Sequence, residues 1–415
     1  MNEDSTRDGP AVRDSRPPSG ARRRGRLARG LAAAAVVTVL ALAAGVVLIQ
    51  SDGGSEPTTS PSSTRMFADL VPDATVALPP APIGTREIPH AIWSGKEWIV
   101  WGGLDARRAS TGDGAAFNLA TGTWRVIAQA PIEGRNHAQV VWTDTEMIVW
   151  GGFHRTGAVT DGAYDHRAFA DGAAYNPTTD TWRRLPEAPI GSGSGCCAVW
   201  TGDEMITLGG SEDAPQLAAY NPVTNQWRRL ADPPADGSSE EMVWTGTAIL
   251  ATFDLDGSNA LARYDVTTDT WRVDDGYAAL VGLPDADGVA RTVLAVPARP
   301  GAPVDILDSA GDSIGRLPGV PADSGEFGNE LVASGAWVGQ EALLWISGAD
   351  WFFPSQGSTQ AWALSPATET WRSLPGDMVS LDGIVTAGDV LLAWGGEDSE
   401  VHGGVAYRVP TASAD

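Results

Sequence analysis

One stretch constrains this chain more than any other: residues 171–210, which recur in degraded copies from about Thr75 to the C-terminus. Ala173-Ala174-Tyr175 is a short apolar run that ends in Asn176-Pro177-Thr178-Thr179-Asp180. Proline pre-sets φ there, and Asn, Thr and Asp can bond their own backbone, so a tight turn is expected. Thr181-Trp182-Arg183-Arg184-Leu185 alternates at period two, as a half-buried strand does, until Pro186 and Pro189 end pairing. Ala198-Val199-Trp200 is a second apolar run. Thr201-Gly202-Asp203-Glu204 supplies a hairpin glycine, and Met205-Ile206-Thr207-Leu208 returns as a strand into Gly209-Gly210. A glycine pair at that point predicts close approach of backbone or of a large ring. Each unit yields about four short antiparallel strands, too few to bury both faces alone, so units must stack.

The copies are countable. The fourth-strand Trp recurs as Trp124, Trp182, Trp227, Trp271 and Trp371, each preceded by Thr or Gln and followed by Arg. The glycine pair recurs as Gly102-Gly103, Gly151-Gly152, Gly209-Gly210 and Gly395-Gly396, with Ser347-Gly348 as a variant. A first-strand Trp recurs as Trp93, Trp142, Trp200, Trp244 and Trp337, and a second-strand Trp as Trp101, Trp150, Trp345 and Trp394. These sets take fourteen of the 17 Trp residues, which assigns most of the aromatic mass to the core. Two units are eroded. One, 241–273, keeps Tyr264, Asp269, Thr270 and Trp271 but has Thr252-Phe253 in place of the glycine pair; the other, 277–318, keeps only a strand rhythm. Omitting the latter would leave a structureless connection longer than compact domains tolerate, so it counts as a unit.

A glycine pair after an apolar strand, followed by Tyr-Asn-Pro-x-Thr-x-x-Trp, resembles the kelch motif, including the version in the propeller domain of galactose oxidase-like proteins. The resemblance spans about 75–408 and implies an all-β fold: a β-propeller of four-stranded antiparallel sheets around a central channel. Fourth strands are readable at Trp124, Trp182, Trp227, Trp271, Ile314 and Trp371, and the last unit lacks its own. Residues 75–83 parallel 181–190, so an N-terminal strand is expected to complete the C-terminal blade and close the ring. That makes seven blades; six would follow if the weakest unit were irregular.

Outside the repeats, residues 1–30 carry eight Arg against four acidic residues and form a polar, disordered, basic tail. Residues 31–49 are Leu, Ala, Val and Ile interrupted only by Thr38 and Gly45, a length that just spans a bilayer. With the Arg cluster holding the N-terminus in the cytoplasm, 31–50 reads as a transmembrane signal anchor and the remainder as extracytoplasmic. The rival is a signal peptide cleaved after Ala41-Leu42-Ala43, which secretes the same domain. Residues 51–66 are a Ser/Thr/Pro/Gly linker, and 67–415 the propeller. The net charge of −24 argues against nucleic acid, which demands basic patches. The only cysteines, Cys196 and Cys197, are adjacent. They read as a strained vicinal disulfide, an intermolecular bond, or two small buried residues on opposite faces of a strand.

In propellers, ligands meet the face built by the loops joining second to third strands and one blade to the next. The longest such loop, 153–171, contains His154, Arg155, Asp161, Asp165, His166 and Arg167; another, 349–359, contains Trp351, Phe352 and Phe353, aromatics outside the repeat pattern. Surplus loop aromatics suit stacking on a sugar or gripping a peptide. Arg86 and Arg135 each precede a first-strand Trp by seven residues, with His90 and His137 nearby at non-equivalent positions. Glu240, Glu241, Glu326, Asn329, Glu330, Glu397, Asp398 and His402 complete an acidic rim. The ligand-binding candidates are therefore Arg86, His90, Arg135, His137, His154, Arg155, His166, Trp351, Phe352, Phe353 and Glu397.

A galactose oxidase-like copper site is not carried over. Tyr175, Tyr220 and Tyr264 belong to the repeat turn, Tyr407 to a third strand, and only Tyr164 and Tyr277 are spare, with no Tyr beside the Cys pair. No metal, cofactor or catalytic residue is assigned. Asp254-Leu255-Asp256-Gly257 and Asp285-Ala286-Asp287-Gly288 read as Asp-Gly turns rather than calcium loops. The favoured expectation is an extracytoplasmic module binding a protein or a cell-wall carbohydrate. The alternative is a carbohydrate-active enzyme, an oxidase, lyase or epimerase, whose site would bring Arg86, Arg135, His137 and a Glu or Tyr into one pocket.

Overall fold

The structure, a computed structural model, describes residues 72–410 except 161–162, 194–197, 212–213, 234–238, 256–257, 286–288, 298, 300, 322–330, 349–359, 377–380 and 396–403. The tail, the apolar segment and the linker expected from the sequence lie outside the described residues, as do Cys196, Cys197, Trp351, Phe352, Phe353 and Glu397.

The chain begins with β1 (Thr75–Ala77) and then lays down blades in order. Blade 1 is β2 (His90–Trp93), β3 (Glu97–Trp101), β4 (Gly114–Asn118) and β5 (Thr123–Val126). Blade 2 is β6 (Gln139–Trp142), β7 (Met147–Trp150), β10 (Gly172–Asn176) and β11 (Thr181–Arg184), interrupted by a separate hairpin of β8 (Phe153–Thr160) and β9 (Ala163–Ala168). Blade 3 is β12 (Ala198–Trp200), β13 (Met205–Ser211), β14 (Ala214–Asn221) and β15 (Gln226–Arg229). Blade 4 is β16 (Ser239–Trp244), β17 (Ala248–Leu255), β18 (Ser258–Asp265) and β19 (Thr270–Asp275). Blade 5 is β20 (Tyr277–Leu283), β21 (Thr292–Pro297), β22 (Val304–Leu307) and β23 (Ser313–Leu317). Blade 6 is β24 (Leu331–Val338), β25 (Glu341–Gly348), β26 (Gln360–Ser365) and β27 (Thr370–Ser373). Blade 7 joins β28 (Leu381–Ala387), β29 (Val390–Gly395) and β30 (Val405–Arg408) to β1.

Seven four-stranded antiparallel sheets therefore form the ring, and the eroded unit at 277–318 is a complete blade. The N-terminal strand closes the circle as expected, with Thr75, Val76 and Ala77 opposite Tyr407, Ala406 and Val405. Innermost strands contact one another all the way round, including β28 against β2.

The core lies between blades rather than within them. Successive residues of a strand point to opposite faces, so each sheet is apolar on both sides and packs a neighbour on each. Seven apolar clusters result, one per junction. At the blade 1/2 junction, for instance, Ile92, Ile99 and Trp101 meet Trp142, Met147 and Val149.

The repeat residues explain how junctions are sealed on the face of the third-to-fourth turns. Asn176 Oδ1 accepts the Thr178 and Thr179 amides, making the turn, and Asp180 leaves it in the left-handed region (φ 51°). Trp182 stacks on Tyr175 at 5.0 Å and sends its indole N–H back to the Ala128 carbonyl of blade 1 (2.8 Å). Arg125 of blade 1 forks onto Glu97 and reaches the Tyr175 hydroxyl (3.0 Å), which itself donates to Asp180 (2.6 Å). This Arg-Glu-Tyr-Asp clasp recurs with Arg183, Glu146, Tyr220 and Asn225, and with Arg372, Glu341, Tyr407 and Asp73. Blade 3 and blade 4 share the same elements, Arg228 on Glu204 and Tyr264 on Asp269.

Candidate functional site

Antiparallel order puts the second-to-third loops and the blade-joining segments on one face, opposite the clasps. Two of the glycine pairs sit there, and the close approach expected of them is present. Gly102, Gly103, Gly151 and Gly152 all have positive φ, and a Cβ on Gly152 would lie 2.7 Å from the Asn136 carbonyl. The joining segment of each blade thus lies directly on the end of a second strand.

Arg86 and Arg135 occupy equivalent places in these segments. Arg86 contacts both carboxylate oxygens of Asp113 at 2.7 Å, and Arg135 pairs with Asp171 at 2.9 Å. Each acid immediately precedes the third strand of the same blade. The repeated Asp-Gly steps Asp113-Gly114 and Asp171-Gly172 were the sequence signal for this pairing. Arg135 has no exposed surface; it donates to the carbonyls of Glu133, Gly151 and Asp171 and lies 4.1 Å over the Phe169 ring. Desolvation lowers its pKa against the opposing pull of Asp171. Both arginines are engaged as blade-internal braces.

His90 is fully buried, stacked on Trp101, with Nε2 accepting the Ala138 amide of blade 2 (3.2 Å). Burial and the nearby His137 and Arg135 depress its pKa to about 3, so it is neutral at physiological pH. Its structural equivalent in blade 2 is Gln139, since the two stand opposite Trp101 and Trp150. Glu241, expected on the rim, is instead buried at that same position of blade 4, where it accepts the Leu280 amide of blade 5. A first-strand residue here faces the neighbouring blade, and the repeat does not reveal that from sequence.

His137 is placed differently. It is half-buried and holds a left-handed conformation (φ 51°), as does Ile88 at the matching position of blade 1. Non-glycine residues are uncommon there, and the strain is maintained by surrounding bonds. Its Nδ1 lies 2.5 Å from Asn136 Oδ1 and its ring meets Phe153 edge-on. Desolvation, then Arg155, lowers its pKa to about 4.

The 153–171 segment, expected as a loop, is largely the β8–β9 hairpin. The Asp161-Gly162 dipeptide was the missed hairpin signal. The hairpin is welded to blade 1. Ala109 bridges Thr156, Ser110 and Arg155 exchange backbone and side-chain bonds, and Asn136 Nδ2 donates to Ser110 Oγ (2.8 Å). His154 Nδ1 lies 2.9 Å from the Gly134 carbonyl, Arg167 pairs with Glu133, and Arg155 stands opposite His166 in register. The hairpin, His137, Asn136 and Phe153 thus form one continuous surface on blades 1 and 2. Arg86, His90 and Arg135 lie beneath it as support.

Among the tyrosines whose side chains are described, the hydroxyls of Tyr175, Tyr220, Tyr264 and Tyr407 donate to Asp180, Asn225, Asp269 and Asp73, and that of Tyr277 to Asp305. Among the described residues no group of three or more His, Cys, Asp or Glu is placed to hold a metal.

No family model matches the chain, and no curated protein matches it. Among solved structures, that of YjhT aligns with 72% of this chain and 99% of its own at 14% identity, with a TM-score of 0.42. A likeness this distant carries no inference about ligand or activity.

Proposed function

We propose that this chain is a kelch-type propeller of the galactose oxidase-like kind, tethered to the cell membrane by 31–50, that acts outside the cell as a binding module for a protein or a cell-wall carbohydrate. The observation that carries this reading is the β8–β9 hairpin. It stands outside the seven blades, ring closure does not need it, and bonds to Ser110, Ala109 and Asn136 hold it in place. Ordered loop structure that a scaffold does not require is where binding residues concentrate. The surface it offers mixes His137, Phe153, His154, Arg155 and Arg167, groups suited to polar ligands with an apolar face. Trp351, Phe352 and Phe353 extend this reading to the blade 6 loop.

The enzyme alternative requires Arg86, Arg135 and His137 to converge. The two arginines brace separate blades against Asp113 and Asp171, which supports recognition over catalysis. The test is a binding screen of the full chain in detergent against cell-wall glycans and extracellular proteins. Saturable binding without product, weakened tenfold or more by Arg155→Ala with Arg167→Ala or by Trp351→Ala with Phe352→Ala, supports the module. Turnover abolished by His137→Ala would overturn it in favour of the enzyme.

A further inference from the structure

The β8–β9 hairpin belongs to a larger β layer over blades 1 and 2. Glu87 bridges Leu104, Leu104 bridges Ser110, Ala109 bridges Thr156 on β8, and β8 pairs with β9. The layer is bonded from strand to strand as far as β9, and among the described residues nothing pairs with the far side of β9.

Which backbone groups face that side follows from β8. In an antiparallel ladder the N–H and C=O of one residue point the same way, and successive residues point to opposite sides. Phe153 exchanges both its bonds with Asn136 (2.8 and 2.9 Å), and the Arg155 carbonyl accepts the Ser110 amide (2.8 Å), so both residues face away from β9. Their register partners, Ala168 and His166, accordingly face away from β8, whereas the next amide, that of Phe169, returns to the Gly152 carbonyl (2.9 Å). The extra residues at the register shift lie on β8, between Arg155 and Val159, so β9 alternates without a break and Tyr164 faces the same way as His166. Tyr164, His166 and Ala168 thus present three N–H and three C=O groups along one edge, with residues about 7 Å apart. Ala168 is exposed at the end of that row.

Open edges also run along the outermost strands of the blades, where shortness blunts them. β1, β5, β11, β15, β23 and β27 have three to five residues. β19 has six but closes on two adjacent aspartates, Asp274 and Asp275. β9 has six, with no Pro, Gly or Lys among them to deter pairing.

We propose that β9 is a docking edge, to which an extended segment of a partner protein adds as a further strand bonded to Tyr164, His166 and Ala168. This rests on the reading of the hairpin as the recognition surface and chooses between its two ligand classes. Donors and acceptors repeating at two-residue spacing match a polypeptide backbone, and a sugar chain carries no such repeat. Backbone bonds then supply affinity, and pockets for alternate peptide side chains supply choice.

The test uses the full chain in detergent, a displayed library of random ten-residue peptides and an array of cell-wall glycans. The library should yield binders. His166→Pro should weaken a selected peptide about tenfold or more, because proline deletes the central outward N–H, which is no part of the ladder to β8. His166→Ala keeps that N–H and should weaken the peptide much less; equal losses assign binding to the side chain and overturn the edge. Hydrogen exchange covers the case in which proline disturbs the hairpin: in the unaltered chain the Tyr164, His166 and Ala168 amides should slow on adding the selected peptide, and unchanged exchange overturns the edge. A dimer that grows with concentration and is lost in His166→Pro assigns the edge to a second copy and overturns the foreign peptide. A library that yields no binder overturns strand addition; the binding module still stands if glycans are then held without product, and falls if they are turned over.

Discussion

The junctions flanking blade 2 and those flanking blade 5 solve one packing problem by different means. Around blade 2, Arg125 and Arg183 tie each blade to the next through Tyr175 and Tyr220, while Trp182 and Trp227 send indole N–H groups to Ala128 and Pro186. At blade 5 the tyrosine position is Leu307, the tryptophan position is Ile314 and the arginine position is Gly315. The blade 4/5 junction relies on Arg263 bonded to Gly311 and Asp312 and on Thr245 bonded to the Ser309 carbonyl. The blade 5/6 junction keeps the indole bond, from Trp371 Nε1–H to the Pro318 carbonyl (3.0 Å), but lacks the clasp and packs closely through apolar residues, with Gly335 so near Val281 that a Cβ would lie 2.5 Å from its Cγ2. Yet blade 5 has the same four strands as blade 2. The Tyr, Asp, Trp and Arg of the repeat therefore specify how blades are joined, and alternating apolar residues suffice to make a blade.

The strongest way to break this comparison is at the closing junction, where the clasp is assembled from both ends of the chain. Asp73 Oδ1 bonds the Tyr407 hydroxyl (2.7 Å) and Arg372 (2.6 Å), and β1 follows at once. Deleting 72–78 removes that acid, one strand and the buried Leu78, and should cost about 4–5 kcal/mol in urea unfolding, with β28 to β30 cut early by protease. Asp73→Ala alone should cost about 2 kcal/mol, since it strands a half-buried hydroxyl and a charged partner. If the deletion unfolds at the same urea concentration as the intact chain, ring closure does not depend on the clasp.

Asp180→Gly tests one ordinary clasp. Glycine accepts the left-handed backbone, so the loss isolates the side chain, which bonds Tyr175 and the Ala128 amide (2.9 Å). Those bonds hold its carboxyl below the usual range, the Tyr175 bond first. About 1–2 kcal/mol of destabilisation is expected by thermal unfolding, reduced because the carboxylate is partly solvated.

Much of this was legible in the residues. Tyr175, Asp180 and Trp182 announce a turn and a strand, and 75–83 repeats 181–190 closely enough to foretell ring closure. What the pattern could not convey was partnership across blades. Arg125 and Tyr175 lie fifty residues apart, and no local periodicity links an arginine in one repeat to a hydroxyl in the next. The candidate site was legible in the same uneven way. Arg86 and Arg135 stood out as a repeated pair, but whether they faced ligand or Asp113 and Asp171 depended on how the joining segment folds over its glycine pair. His90 and His137 looked alike in sequence and differ in place, because a two-residue offset puts one between blades and the other in a strained segment at the surface.

That offset has a pH consequence at the mouth end of the blade 1/2 junction. His90 falls from its ordinary value of 6.5 to about 3 through burial, and His137 to about 4. Both are neutral when folded, so from pH 6.5 down to about 4 for His137 and about 3 for His90 the unfolded chain binds more protons and stability falls with acid; well above 6.5 the contribution is complete. His90 should account for about 1–2 kcal/mol of loss between pH 6.5 and 5. His90→Gln copies the residue that blade 2 uses at this position and keeps an acceptor for the Ala138 amide. It should unfold near the original midpoint at pH 7 and lose roughly half of the acid slope. An unchanged slope in the variant would assign the titration elsewhere.

The smallest effect sharpens the comparison most, because it reverses sign at one backbone position. Glu369 precedes Trp371 by two residues, as Asp180 precedes Trp182, and shares its left-handed conformation (φ 55°). Across the blade 5/6 junction, though, there is no tyrosine to receive it, since Leu364 stands where Tyr175 does and Gly315 where Arg125 does. Glu369 is exposed, so its side chain contributes little there while its Cβ still strains the turn. Glu369→Gly should therefore leave stability unchanged or raise it by up to about 1 kcal/mol, through relief of positive φ offset by the greater freedom of glycine when unfolded. The same change at Asp180 destabilises. Equal losses at both positions would mean that the turn itself, rather than the bond it offers to the neighbouring blade, is what the repeat preserves.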